Sequence, residues 1–189
     1  AMTDFEAGNA PWNKYKAEIV TVEIGKDITS IGAFSFYRCD NLKTVIFAEG
    51  SALKAINRGA FGATGLETIT LPASLEILGE YALYENASLK TVLFEDGSKL
   101  TTIGRYAFRN DKALEFVYIP NGVTSIDTSA FSACSNVELS VAEGSYGLEY
   151  AIGKGIKYAV REVAPFVKYE GSCGANAKWE LYNNGVLKI

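Results

Sequence analysis

Residues with the right types for chemistry are few in this chain, and their spacing does not suit them to it. Histidine is absent from the 189 residues. That removes the side chain whose ordinary pKa lies nearest neutrality, and with it the commonest general base and zinc ligand. The three cysteines, Cys39, Cys134 and Cys173, contain no CxxC pair and are too few for a disulfide framework. Glu49, Glu95 and Asp96 gather in turn-like segments. A glycosidase needs two carboxyls flanking a cleft, one of them with a raised pKa, and exposed turn acids offer neither. Gly153-Lys154-Gly155 lacks the spacing of a phosphate-binding loop and reads as a helix stop. Asn86-Ala87-Ser88 fits a glycosylation sequon, but it falls at a closing turn, where chance accounts for it. No catalytic constellation, metal set or cofactor follows from these residues, and the chain reads as a non-enzyme.

Composition agrees with a globular, non-catalytic chain. Hydrophobic residues make up 48% and charged residues 21%. The net charge of −4, with basic residues scattered along the chain, argues against a nucleic-acid partner, which requires a dense basic face. No apolar run reaches the roughly 18 residues of a membrane span, and no signal-peptide pattern is visible.

What organises the chain is repetition. An apolar residue followed five positions later by another recurs as Ile31/Phe36, Ile56/Phe61, Leu78/Leu83, Ile103/Phe108 and Ile126/Phe131, with steps of 25, 22, 25 and 23. A second landmark of the form L-x-x-V-x-F recurs in step: Ile19-Val22-Ile24, Leu42-Val45-Phe47, Leu66-Ile69-Leu71, Leu89-Val92-Phe94 and Leu114-Val117-Ile119. From the last strand residue to the isoleucine is seven residues in the odd copies and nine in the even ones, where Glu49-Gly50-Ser51 and Asp96-Gly97-Ser98 enlarge the loop. One such unit cannot bury its apolar face, but a stack can. The pattern predicts a parallel sheet of short strands on one side, helical or 3-10 turns carrying the Ala-Phe pair on the other, and a continuous core between.

The ends read as caps. Trp12 and Tyr15 precede the first strand and are expected to cover the first layer. At the far end Val137–Val141 is a shortened strand, Ser145 an N-cap for a helix over 146–152 stopped by Gly153 and Gly155, and 156–160 a final strand. Pro165 marks a boundary, after which Trp179–Tyr182, Asn183-Asn184-Gly185 and Val186–Ile189 form the pattern of a β-hairpin. The expected organisation is therefore a cap over 1–18, a solenoid of five full repeats plus a closing unit over 19–160, and a linker and hairpin over 161–189.

On these residues the chain resembles the BspA-like leucine-rich repeats of bacterial surface proteins. Their unit is similar to Leu114 through Cys134 and to Ile28–Gly32 through Cys39. The resemblance implies an α/β solenoid of right-handed leucine-rich-repeat type. It also implies a cell-surface or secreted location and an adhesin-like module that binds a protein partner such as a host surface or matrix protein. Cys173–Trp179 and Asn184–Ile189 resemble a leader that in the family precedes a segment like Met2–Tyr15. That order suggests a piece of a tandem array whose hairpin opens a following module.

Within such a solenoid Cys39 and Cys134 lie four strand spacings apart, roughly 19 Å, beyond the ~7 Å reach of a disulfide. The outward strand positions form two columns: Thr21, Thr44, Thr68, Thr91, Phe116 and Glu23, Ile46, Thr70, Leu93, Tyr118. Threonine suits a solvent-facing sheet without further role. Ile46, Leu93, Phe116 and Tyr118 do not, and they are the candidate protein-binding residues. Two other readings stay open: a spacer that self-associates through residues 165–189, and carbohydrate binding through exposed aromatics.

Overall fold

The computed structural model describes residues 1–161 throughout and, beyond them, the backbone of three strands. Long strands alternate with two-residue strands: β1 (Thr21–Ile24), β2 (Ser30–Ile31), β3 (Thr44–Phe47), β4 (Ala55–Ile56), β5 (Thr68–Leu71), β6 (Ile77–Leu78), β7 (Thr91–Phe94), β8 (Thr102–Ile103), β9 (Phe116–Tyr118), β10 (Ser125–Ile126) and β11 (Glu138–Ala142). Helix α1 (Tyr146–Lys154) and β12 (Lys157–Arg161) follow. The short strands stack as one parallel sheet, β2-β4-β6-β8-β10, and the long strands as two, β1-β3 and β5-β7-β9-β11-β12. This is a parallel-strand β-solenoid of about six turns. Its pairings join equivalent residues of neighbouring coils, Ile31 with Ile56 and Leu78 with Ile103, so the sequence landmarks become columns in space.

Opposite the long strands the structure corrects one expectation: the segments bearing the Ala-Phe pair are neither α nor 3-10 helix. Each is a pair of consecutive turns, as in Ser35 N–H to Gly32 C=O and Cys39 N–H to Phe36 C=O. The third residue of each turn takes a left-handed conformation, Phe34 and Arg38 in coil one, Tyr81 and Glu85 in coil three. That conformation reverses the chain within a few residues and turns alternate amides along the solenoid axis. The amide of each core residue then donates to the alanine carbonyl of the next coil: Phe36 to Ala60 at 2.8 Å, Phe61 to Ala82, Leu83 to Ala107 and Phe108 to Ala130 at 2.9 Å. A helical turn would have used those amides internally. Here they form a third ladder, and the small alanine lets the coils approach.

The interior is a column of isoleucine, leucine and phenylalanine side chains with essentially no exposure. Phe36 stacks on Phe61 with ring centroids 5.2 Å apart, and Phe108 on Phe131 at 4.8 Å; Leu83 fills the coil between the pairs. Trp12 closes this stack at one end, 5.7 Å from Phe36, its indole N–H donating to the Ser35 carbonyl at 2.7 Å. Tyr150 of α1 closes the other, 6.1 Å from Phe131. Tyr15, expected beside Trp12 as a cover, is 49% exposed. Its place is taken by residues 2–5, which extend two ladders through Met2 N–H to Ser30 C=O and Phe5 N–H to Ala33 C=O. Asp4 accepts from the Ala33 amide at 2.6 Å and from Asn57 at 2.8 Å.

At the closing end Ser145 caps α1 as expected, accepting from the Leu148 amide. The helix runs through Gly153 and ends one turn residue later, at Gly155 with φ 64°. Farther on, β13 (Val167–Ser172), β14 (Lys178–Tyr182) and β15 (Leu187–Lys188) pair antiparallel in that order. The Asn183–Gly185 turn, Pro165 and Cys173 lie outside the described residues.

Candidate interaction surfaces

On the long-strand face the two outward columns stand in register: Thr21 beside Thr44, Thr68 beside Thr91, Thr91 beside Phe116, and Glu23 beside Ile46, Thr70 beside Leu93. Ile46 is 47% and Leu93 39% exposed, high for apolar side chains in a sheet. Phe116 and Tyr118 are half-buried, less prominent than their outward position suggests. For Tyr118 the reason is Arg161 on β12. Its guanidinium lies 3.9 Å from the Tyr118 ring centroid and donates to the carbonyls of Ser140 (2.6 Å) and Ile119 (2.7 Å) and to the Asn121 side chain (2.8 Å). At the other end of β12 Lys157 pairs with Glu138 at 2.5 Å. The apolar end of this face is thus bordered by a fixed cation, which partial burial makes a slightly weaker base than usual.

A second column is buried except at its last member, the half-buried Cys134. Three residues after each core landmark stand Cys39, Thr64, Asn86, Asp111 and Cys134. Asn86 is fully buried and its amide donates to the carbonyls of Phe61 and Leu83, while its oxygen accepts from the amide and hydroxyl of Thr64. An Asn so placed cannot carry a glycan, in line with chance as the origin of the sequon. Asp111 accepts from the Asn86 backbone N–H at 2.7 Å through one oxygen, and its other oxygen has no partner. Burial holds this carboxyl well above the usual range. Cys39 and Cys134 are both free thiols. Burial pushes their pKa values to about 11 and about 12, the neighbouring acids Asp40 and Asp111 adding to it. The column therefore serves the turns. Among the described residues no group of three or more Cys, Asp or Glu is placed to hold a metal.

The turn face holds the feature that aligning apolar landmarks alone misses. Its outward positions are the second, third, sixth and seventh after each isoleucine or leucine. They bring together Phe34, Tyr37, Tyr81, Tyr84 and Tyr106, all half-buried, with exposed Arg38, Arg58, Arg105 and Arg109. The chain has five arginines, and four of them are here, so its basic residues are less scattered in space than in sequence. Coil two contributes Gly59 and Gly62 where its neighbours contribute rings, leaving a notch. A Cβ on Gly59 would lie 2.5 Å from the Phe34 ring, and one on Gly62 2.3 Å from the Tyr84 ring. Tyr37 and Tyr84 close over Gly62 with centroids 6.0 Å apart. Ala7, Phe34, Tyr37, Arg58, Tyr81 and Tyr84 line a cavity of about 200 Å³ there.

These columns can be set beside known proteins. A family model described as BspA type leucine rich repeat region matches residues 13–138 in six copies. The chain belongs to this family. The six copies count one more than the five landmark pairs read from the sequence. No curated protein matches the sequence. Among solved structures the chain is 34% identical to the pneumococcal vaccine antigen PcpA, with a TM-score of 0.63 over 66% of this chain and 31% of that one. A leucine-rich cell surface protein from Faecalibacterium prausnitzii is 22% identical with a TM-score of 0.50, over 98% of this chain and 48% of that one. A leucine-rich repeat protein from Bacteroides ovatus gives 20% and 0.50, over 65% and 37%. The chain thus spans under half the length of each, and the last two likenesses concern the fold alone.

Proposed function

We propose that this module is a non-catalytic, protein-binding part of a bacterial surface protein, adhesin-like in role, which docks its partner on the long-strand face. The observation that carries the proposal is the apolar run Ile46, Leu93, Phe116 and Tyr118 across an otherwise threonine-covered sheet, bordered by the fixed guanidinium of Arg161. Apolar and aromatic anchors with a polar rim are the anatomy of a protein interface. The family membership supports a cell-surface or secreted location. No helix among the described residues is long and apolar enough to cross a membrane. A panel of immobilised host surface and matrix proteins tests this reading. Leu93→Ala with Phe116→Ala and Tyr118→Ala should abolish retention of whichever protein binds, with the melting temperature close to wild type. Unchanged retention would exclude this face.

A second reading is self-association, favoured by β12. The residues Lys157–Val160 are all exposed, including Tyr158 at 42% and Val160 at 50%. An exposed edge strand invites pairing with another chain, with residues 165–189 as the expected contributor. Solution size with and without those residues distinguishes the two.

A further inference from the structure

We propose that the notch on the turn face is a second binding site, separate from the sheet face, and that it takes a saccharide bearing a carboxylate. Phe34, Tyr37, Tyr81 and Tyr84 wall the cavity, which at about 200 Å³ falls below the roughly 300–1,000 Å³ of drug-sized sites and suits one small ring. Arg58 stands at its side, its guanidinium carbon 5.8 Å from the Phe34 ring centroid and 5.7 Å from that of Tyr81. Its Nε faces Glu80 at 3.7 Å, and among the described residues its terminal nitrogens make no hydrogen bond. A guanidinium held between two rings with its fork open matches the geometry of a carboxylate.

The backbone supports a use beyond packing. The left-handed position that Gly59 fills without strain is filled in three other coils by Phe34, Tyr81 and Tyr106, with φ of 54°, 56° and 55°. An aromatic residue there costs on the order of 1 kcal/mol or more, and the turn does not need a ring. What the conformation does is turn the ring outward, beside the arginines. Coil two omits side chains where coils one and three supply them, so the Phe34 and Tyr84 rings pack down over its glycines and wall the cavity.

A saccharide fits better than an extended peptide. The amides beneath the cavity are already used along the axis: Phe34 to Arg58, Gly59 to Glu80, Phe61 to Ala82 and Ala63 to Tyr84. A strand laid across them finds no backbone to pair with. A pyranose needs none, since its C–H faces stack on rings and its hydroxyls meet the phenols of Tyr37, Tyr81 and Tyr84. Tyr84 is a neutral phenol at physiological pH, like any tyrosine, and burial and its neighbour Tyr37 raise its pKa further. Glu80 and Glu85 interleave with the arginines on the same columns, so the strip suits a single carboxylate and not a phosphate backbone.

Titration of the chain with 3′-sialyllactose and with a glucuronate-containing oligosaccharide, against lactose and the carboxyl-reduced oligomer, tests the proposal. The carboxylated sugars should bind at least about tenfold more tightly than their neutral counterparts. Arg58→Ala and Tyr81→Ala should each weaken them about tenfold or more. Arg58 is exposed, so its variant should melt as the wild type does. Phe116→Ala with Tyr118→Ala should leave sugar binding unchanged, which separates this site from the sheet face. Equal affinity for neutral sugars, no binding of either acid, or indifference to Arg58→Ala would overturn the proposal. So would an acidic peptide that binds as tightly as the sugars.

Discussion

Replacing Asp111 by asparagine should stabilise the solenoid, and the column it sits in says why. Asn86, one coil earlier, uses its oxygen to accept and its nitrogen to donate to the carbonyls of Phe61 and Leu83. Asp111 reproduces only the accepting half, leaving a buried oxygen without a partner in a residue of 0% exposure. Leaving one such group unmatched costs about 1–3 kcal/mol. Burial disfavours the charged carboxylate and so raises its pKa well above the ordinary value, which favours the protonated form. A folded-state pKa raised above the unfolded value of ~3.9 gives stability that is complete below that pH and is lost as the pH rises toward the folded value, at about 1.4 kcal/mol per pH unit. Asparagine carries no such proton and supplies the missing donor. Asp111→Asn should therefore add about 2 kcal/mol at pH 7, or about 4–8 °C in melting temperature for a chain of this size. The gain should shrink toward pH 4. Urea melts of both proteins from pH 4 to 8, compared as differences, isolate this group from carboxyls such as Asp4 and Asp127 that change stability in the opposite sense. A variant less stable at pH 7, or a difference that does not depend on pH, would refute the reasoning.

Two further outcomes follow from the same packing. Buried Cys39, with a pKa near 11, should resist alkylation at pH 8 in the folded protein and react fully in denaturant, and half-buried Cys134 should react more slowly than a free thiol; reaction of Cys39 at the rate of a free thiol would show its burial to be wrong. In Gly32→Ala a Cβ would lie 1.9 Å from the Thr3 carbonyl oxygen, so residues 2–5 should detach, at a cost of about 2 kcal/mol for the bonds lost. Gly25→Ala meets nothing within 4 Å and is the matched control. Rapid amide exchange at Met2 and Phe5 in the first variant alone is the signature.

The parts of the fold that could be read from sequence are those carried by apolar landmarks. Ile31, Ile56, Leu78, Ile103 and Ile126 became one column, and the outward threonines fell into register as written. What was hidden has a physical cause in each case. An Ala-Phe pair five residues after an isoleucine satisfies a helical face as well as a double turn, and only the left-handed residues, at eight positions and of six residue types besides glycine, decide between them. The buried column of Cys, Thr, Asn, Asp and Cys looks unrelated by type, because each satisfies the turn with a different atom. Arg161 covers Tyr118 from 43 residues away, beyond any local pattern. The aromatic and arginine positions were visible once the copies were aligned at polar sites too; two glycines in coil two broke the column and disguised it.

The three ladders also bear on force. Every one of their hydrogen bonds points along the solenoid axis, joining a coil to the next. Tension applied between the two ends loads these bonds a coil at a time, so the structure peels instead of shearing. Each coil of 22–25 residues would release about 75–90 Å of chain, at roughly 3.3–3.6 Å per residue. A tether built this way lengthens in steps under load while the coils not yet reached keep their surfaces intact.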